Sequence, residues 1–144
     1  MKNYVSAFAL LLPLALAGVG SALAAEECSV ATLKGMYLFI NDGFTIEGNT
    51  RAPFALAGSE VFDGQGNVHA IYTVNANGKI DRDVRVKGEY VVNADCTSTV
   101  SYSDGTHADQ FLAPDGKTLV FVQTDPGIVT AGFERSAMAK RVGD

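Results

Sequence analysis

Residues 54–92, FALAGSEVFDGQGNVHAIYTVNANGKIDRDVRVKGEYVV, decide the fold of this chain. Three runs rich in Val, Ile, Thr, Tyr and Phe are separated by two turns rich in Gly, Asn and Asp, at residues 63–67 and 75–78. The turn residues tolerate a positive φ or nucleate a tight turn, whereas β-branched and aromatic residues favour strands. The stretch is therefore typical of antiparallel strands joined by hairpins.

Alternation along these strands predicts which side chains are buried, because successive side chains of a strand point to opposite faces. Val84 and Val86 alternate with charged residues, which indicates a sheet that is solvated on one face. Gly88 interrupts the same strand and predicts a bend or a bulge there. One face of the strand at 51–62 carries its larger side chains, Phe54, Leu56, Glu60 and Phe62.

Similar turns recur at short intervals and divide the rest of the chain into predicted strands. A short helical turn is predicted at residues 29–33, where Ser29 can cap the first turn and Gly35 can end it. The eight predicted strands cover residues 35–41, 51–62, 68–75, 79–92, 96–103, 106–113, 118–124 and 128–137.

Eight antiparallel strands in succession predict an all-β fold, a single up-and-down β-barrel. Closure into a barrel removes the exposed edges of an open sheet, and hairpin connections need no crossover. A two-sheet β-sandwich is the alternative architecture. The interior of an eight-stranded barrel is just large enough to be filled by side chains or to hold one small ligand.

Residues 1–24 are predicted to be a signal peptide. Lys2 provides a positive charge, residues 4–17 form an apolar run, and Ala22-Leu23-Ala24 is a small-residue cleavage signal. Cys28 does not directly follow that signal, which favours release over lipid anchoring. We therefore expect an exported protein, periplasmic or extracellular, with residues 25–144 as the barrel domain. No stable membrane insertion is expected, because no later apolar run reaches about 18 residues.

Charge and cysteine content narrow the class of function. Of the 11 Lys and Arg residues only ten remain once Lys2 is removed, against 16 Asp and Glu, so nucleic acid is not an expected partner. Cys28 and Cys96 are the only cysteines, and in an exported chain they most simply form a disulfide. A reactive thiol or redox pair is the alternative, although the chain has no Cys-x-x-Cys motif.

Aromatic side chains recur on the predicted strands and are candidates for the walls of an internal ligand cavity. Aromatic residues at this spacing more often form a plain core, but a tyrosine offers a ligand both an apolar ring and a hydroxyl. The candidate ligand-binding residues are Tyr37, Phe39, Phe54, Tyr72, Tyr90, Tyr102, Phe111, Phe121 and Gln123.

Glu60 is the most informative single residue, because it shares a predicted face with Phe54 and Phe62. If Glu60 points inward, desolvation raises its pKa and makes it a candidate acid, base or ligand anchor. A register break near Gly58 that turns Glu60 to solvent is the alternative. Tyr72 is the second candidate catalytic residue.

Other polar residues offer further alternatives. His107 and Asp109 share a predicted face, where the carboxylate can orient the ring for proton transfer or both groups can be solvated. Arg135 is either a polar anchor at one end of the barrel or a surface residue. No metal and no cofactor are predicted, because the chain has only two histidines and the cysteines are assigned to a disulfide. The turn at 63–67 also lacks the ligand pattern of a calcium loop and the helix of a phosphate loop.

Four segments carry a resemblance to a known family: CSVATLKGMY at 28–37, VFDGQGN at 61–67, GEYVVNADCT at 88–97 and DPGIVTAG at 125–132. Together they resemble the bacterial allene oxide cyclase barrel-like family of small secreted proteins, over nearly all of residues 25–144. Relatives of that barrel, plant allene oxide cyclases and bacterial spirotetronate cyclases, are similar to lipocalins and hold a ligand in an apolar cavity. The resemblance implies a cavity here. No catalytic residue of those cyclases aligns with this sequence, so their activity is not implied.

Three functions remain open from the sequence. The first is binding of a small apolar or amphipathic molecule inside the barrel, with Glu60 as a polar anchor. The second is a cofactor-free isomerase or cyclase, in which Glu60 or a tyrosine assists a substrate held in the cavity. The third is a structural or envelope-interaction protein with a filled barrel. The sequence leaves the oligomeric state open.

Overall fold

The computed structural model describes residues 27–137, so the predicted signal peptide lies outside the described residues. Its strands pair antiparallel in sequence order, and β8 returns to pair with β1. This closed barrel confirms the predicted up-and-down architecture over the sandwich. The strands are β1 (Lys34–Glu47), β2 (Thr50–Asp63), β3 (Asn67–Ala76), β4 (Lys79–Val92), β5 (Thr97–Tyr102), β6 (His107–Leu112), β7 (Thr118–Gln123) and β8 (Ile128–Ser136).

The first strand is longer than the sequence predicts. Asn41, Asp42 and Gly43 have the composition of a turn, yet they continue β1 and pair with both β2 and β8. Hydrogen bonding on both sides of the strand outweighs the local turn preference of these residues. Gly43 also allows a close approach between strands, since a Cβ there would lie 2.1 Å from the Val129 carbonyl oxygen.

The irregularity of β4 lies elsewhere than predicted. Gly88 pairs in continuous register with Val68 on one side and Tyr102 on the other, so the predicted bulge at Gly88 is wrong. The register shift occurs nearer the start of β4, around Asp83, whose φ is 56°. Gly88 instead leaves room for an aromatic ring, because a Cβ there would lie 2.9 Å from Cδ1 of Tyr102.

One half of the barrel interior is filled by a hydrophobic core. The ring of Phe62 stands edge-on to Tyr37 at 5.2 Å and to Tyr90 at 5.0 Å, with interplanar angles of 84° and 90°. This edge-to-face geometry is the favoured contact between aromatic rings. Leu33 and Val68 are completely buried in the same cluster. The core therefore forms a solid floor across this half of the barrel.

The N-terminal segment closes the filled end, which we call the closed end. The helical turn predicted at 29–33 is a 3-10 helix, Val30–Thr32. Tyr90 donates its hydroxyl to the Val30 and Leu33 carbonyl oxygens, both at 3.0 Å. A disulfide between Cys28 and Cys96 fixes the same segment to the barrel and confirms the predicted pairing. Within residues 27–137, no helix has the length and hydropathy needed to cross a membrane.

Candidate functional site

The other half of the interior is hollow and encloses a cavity of about 270 Å³. Its lining includes Asp104 and Thr106 from the exposed turn between β5 and β6, so the cavity reaches the surface at the end opposite the 3-10 helix. We call this the mouth. The walls are largely apolar and include five aromatic rings, those of Phe39, Phe54, Tyr72, Tyr102 and Phe121.

The structure places the nine predicted ligand-binding residues in three different environments. Tyr37 and Tyr90 point inward but belong to the filled core at the closed end. Phe111 is 53% exposed and points outward, so its predicted position inside the barrel is wrong. The inward side chains of β6 are instead those of Ala108, Gln110 and Leu112. The six that line the cavity are Phe39, Phe54, Tyr72, Tyr102, Phe121 and Gln123.

His107 and Asp109 also lie on the outer face of β6. The ring of His107 has a different partner from the predicted one, because its Nδ1 lies 2.7 Å from Oδ1 of Asp125. Both groups are exposed, which is the solvated alternative given for His107 and Asp109, and they do not form a proton-transfer pair. Arg135 is exposed on β8, so it is a surface residue rather than a polar anchor at one end of the barrel. Gln123 lines the cavity and donates a hydrogen bond to Asp125 at 3.0 Å.

Glu60 points into the barrel and only 2% of its surface is exposed. The strand register is continuous through Gly58, which pairs with Phe39 and Tyr72, so no register break turns Glu60 to solvent. Gly58 matters in another way. A Cβ at that position would lie 2.6 Å from Cβ of Tyr72, so the glycine makes room for a side chain of the cavity wall.

A second buried acid, Glu134 of β8, lies beside Glu60 and is 3% exposed. The two side chains share a hydrogen bond, and the Tyr102 hydroxyl donates to Oε2 of Glu60 at 2.6 Å. Apart from the proton that the two side chains share, Oε1 of Glu60 and Oε2 of Glu134 receive no hydrogen bond from the described residues, and both oxygens are buried. We call Glu60 and Glu134 the carboxyl pair. Both side chains line the cavity, so the pair gives its wall two buried acceptors that no other described group satisfies.

Burial makes the carboxyl pair hold protons more tightly than ordinary glutamates. Desolvation raises the pKa of Glu134 well above its usual range, and the charge and hydrogen bond of Glu60 raise it further. Desolvation also raises the pKa of Glu60, whereas hydrogen bonds from Glu134 and Tyr102 oppose that effect. The pair therefore holds a proton more tightly than two separate glutamates would, and shares it between Glu60 and Glu134.

Further buried polar side chains lie along the same interior. Ser98 donates its hydroxyl to Oε1 of Gln110 at 2.9 Å, and Thr130 donates to Oδ1 of Asn41. Asn41 and Gln110 line the cavity. Sequence patterns alone do not predict these residues or Glu134 as members of a site. Alternation could predict that Gln110 points inward, because Gln110 lies two residues from both Ala108 and Leu112 and therefore shares their face.

The carboxyl pair predicts a distinct dependence of stability on pH. An acid whose folded pKa is raised stabilises the folded chain fully below its unfolded pKa, and this stabilisation is lost as pH rises through the folded pKa. We expect the free energy of unfolding to fall as the pH rises from about 4.3, the pKa of an ordinary glutamate. The slope approaches about 1.4 kcal/mol per pH unit wherever the folded chain holds one extra proton.

Urea denaturation at several pH values in this range measures the slope. The double variant E60Q/E134Q removes both titrating groups while keeping amide side chains of similar size. Its profile should be flatter than that of the wild type, and the two histidines, present in both proteins, cancel in the comparison. Parallel profiles would show that the carboxyl pair does not titrate differently in the folded and unfolded states.

The described residues 27–137 contain no group of three or more His, Cys, Asp and Glu placed to hold a metal ion. Comparison of the chain with protein-family models, with curated proteins and with solved structures finds no match. The chemistry of the site is therefore derived from the cavity and the carboxyl pair themselves.

Proposed function

We propose that this protein is an exported β-barrel that binds a small apolar or amphipathic molecule in its cavity. One observation carries the proposal: the barrel is filled at the closed end but hollow at the mouth, where it encloses about 270 Å³. An apolar cavity of about 150 Å³ can bind benzene, so the space suits a molecule with one or two rings or a short chain. Aromatic walls above a small polar cluster are typical of small-molecule sites.

Two further observations support parts of this proposal. The Cys28–Cys96 disulfide favours export, because such bonds persist in oxidising compartments. The closed eight-stranded barrel with a cavity is the architecture implied by the resemblance to the allene oxide cyclase barrel-like family. The alternative of a structural protein with a filled barrel accounts for the closed end but not for the cavity at the mouth.

A substitution that fills part of the cavity should weaken ligand binding. Ala108 is a buried wall residue, and Ala108→Phe places a ring in the cavity. We expect the affinity for a neutral apolar fluorophore of two rings, 2-methoxynaphthalene, to fall at least about tenfold, because the added ring occupies the space that the ligand needs; a tenfold loss corresponds to about 1.4 kcal/mol. Fluorescence titration measures the affinity, and near-UV circular dichroism verifies the fold.

The matched control is Ala131→Phe, which adds the same ring on the outer face of β8. Its affinity should equal that of the wild type. Equal binding by both variants, or no binding by the wild type together with a ligand-free mass in native mass spectrometry, would contradict the proposed function.

The hydrogen-bonded cluster of Tyr102, Glu60 and Glu134 favours a second candidate, a cofactor-free isomerase. Glu60 can accept a proton from one carbon of a bound substrate while Glu134 returns a proton to another atom, so the reaction needs no cofactor. Tyr72 was the other predicted catalytic residue, but its hydroxyl points to Asp104, at 3.5 Å. Conversion of a β,γ-unsaturated cyclohexenone to its conjugated isomer, lost in Glu60→Gln with binding retained, would support this candidate.

A further inference from the structure

The cavity has an unbalanced charge. Its lining includes three acidic residues, Glu60, Glu134 and Asp104, and no Lys, Arg or His among the residues described. Buried carboxylates in proteins are normally paired with a cation or neutralised by a proton. The ion pairs within residues 27–137 are all elsewhere, formed by Asp81, Asp115 and Asp125. The described residues therefore offer the carboxyl pair a shared proton but no cation.

The buried oxygens of the carboxyl pair define what a cationic partner must offer. Oε1 of Glu60 and Oε2 of Glu134 are buried acceptors on side chains that line the cavity, and among the described residues only the proton shared by the pair can donate to them. A buried acceptor without a donor is costly, so a ligand that brings donors gains most at this position. An ammonium group has three donors and no acceptor, whereas a carboxylate or phosphate has acceptors only.

We propose that the cavity selects a lipophilic amine, which binds as its ammonium ion between Glu60 and Glu134. This inference rests on the proposed function and specifies its ligand class. The apolar part of the amine packs against the aromatic walls, where Phe39 and Tyr72 stand edge-on with centroids 6.3 Å apart. Aromatic faces also attract cations, which adds to the selectivity for the charged head group. Asp104 at the mouth gives the entrance the same sign of charge.

Proton balance makes the proposal sensitive to pH. When an ammonium ion binds, the proton shared by the carboxyl pair is released to solvent, and the pair becomes the counter-ion. Binding should therefore strengthen as pH rises and the pair loses its proton, a consequence of linkage. The groups that face the pair from other strands are Tyr37 and Tyr102, whose raised pKa values keep both hydroxyls neutral near pH 7.

A matched series of three ligands tests the inference by isothermal titration calorimetry on the oxidised, exported protein. Phenethylamine, phenethyl alcohol and phenylacetate have similar shape but carry a cation, a neutral donor and an anion. We expect the amine to bind at least about tenfold more tightly than the alcohol, the effect of a charge-assisted hydrogen bond. Phenylacetate should bind most weakly. Equal affinity for amine and alcohol, or preference for phenylacetate, would overturn the inference.

Variants separate this inference from the proposed function. E60Q/E134Q should lose the preference for the amine while its affinity for the alcohol stays within about threefold of the wild type. Glu134→Gln alone serves if the double variant does not fold. Glu89→Gln is the matched control, because Glu89 is exposed on β4 and should leave the preference intact. Binding of the alcohol without preference for the amine refutes only the amine. Failure of all three ligands and of 2-methoxynaphthalene refutes the binding function itself.

Discussion

Replacing Phe62 with alanine is expected to lower the free energy of unfolding by about 4 kcal/mol, within the range for a buried phenylalanine. Phe62 is 1% exposed and its ring lies between those of Tyr37 and Tyr90 at the closed end. Removal of the ring leaves a space between two tyrosines whose hydroxyls are held by hydrogen bonds to backbone carbonyls. These contacts limit how far the tyrosines can move to fill that space.

Phe111→Ala is the matched control, because it makes the same change on a side chain that is 53% exposed. We expect it to change the free energy of unfolding by about 0.5 kcal/mol or less, as is usual for surface positions. Urea denaturation followed by far-UV circular dichroism measures both, which suits a chain without tryptophan. Similar losses at the two positions would contradict the assignment of Phe62 to the core and Phe111 to the surface.

The contrast between these two phenylalanines shows where sequence patterns succeed. On β2 the larger side chains all fall on one face, so alternation predicts that Phe62 and Glu60 point inward. On β6 the apolar Phe111 is outside and the polar Gln110 is inside. Phe111 lies in register with Val120 of β7, which is also exposed. Here the outer surface is apolar, so hydrophobicity does not distinguish the two faces.

The same exchange of apolar and polar faces on β8 prevents the prediction of Glu134 from the sequence. The outward positions of β8 include the exposed apolar residues Val129 and Phe133, whereas the inward ones are Thr130, Gly132 and Glu134. An apolar face is normally taken as the buried one, and this rule assigns β8 the wrong way round. Pairing with β1 and β7 fixes the true orientation. Such pairing is a long-range property that the pattern of one strand does not contain.

Position along the barrel axis is a second property that alternation does not give. Tyr37 and Tyr90 point inward as a ligand-binding tyrosine should, but they lie in the core at the closed end. Their position along the barrel axis follows from the stagger of the strands and from the N-terminal segment that packs beneath them. The sequence thus predicts the barrel, the disulfide and the inward position of Glu60, whereas the site itself depends on how eight strands are staggered.

Loss of the disulfide is expected to lower the free energy of unfolding by about 4 kcal/mol and the Tm by roughly 15 °C. Cys28 and Cys96 are 68 residues apart in sequence, so their bond removes much of the freedom of the unfolded chain. In the folded chain the bond also holds the segment that carries Leu33, whose side chain is completely buried in the core. Reduction therefore favours the unfolded state and loosens the closed end together.

The disulfide can be removed in two independent ways, by reduction and by substitution of both cysteines. Reduction of the wild type and the double substitution Cys28→Ser/Cys96→Ser should give the same Tm, and the double variant should not respond to reductant. A Tm that changes by less than about 3 °C would show that strand pairing alone fixes the N-terminal segment. The cavity lies in the opposite half of the barrel, so the affinity for 2-methoxynaphthalene should survive reduction below the new Tm. Loss of binding on reduction would instead show that the closed end and the cavity form one cooperative unit.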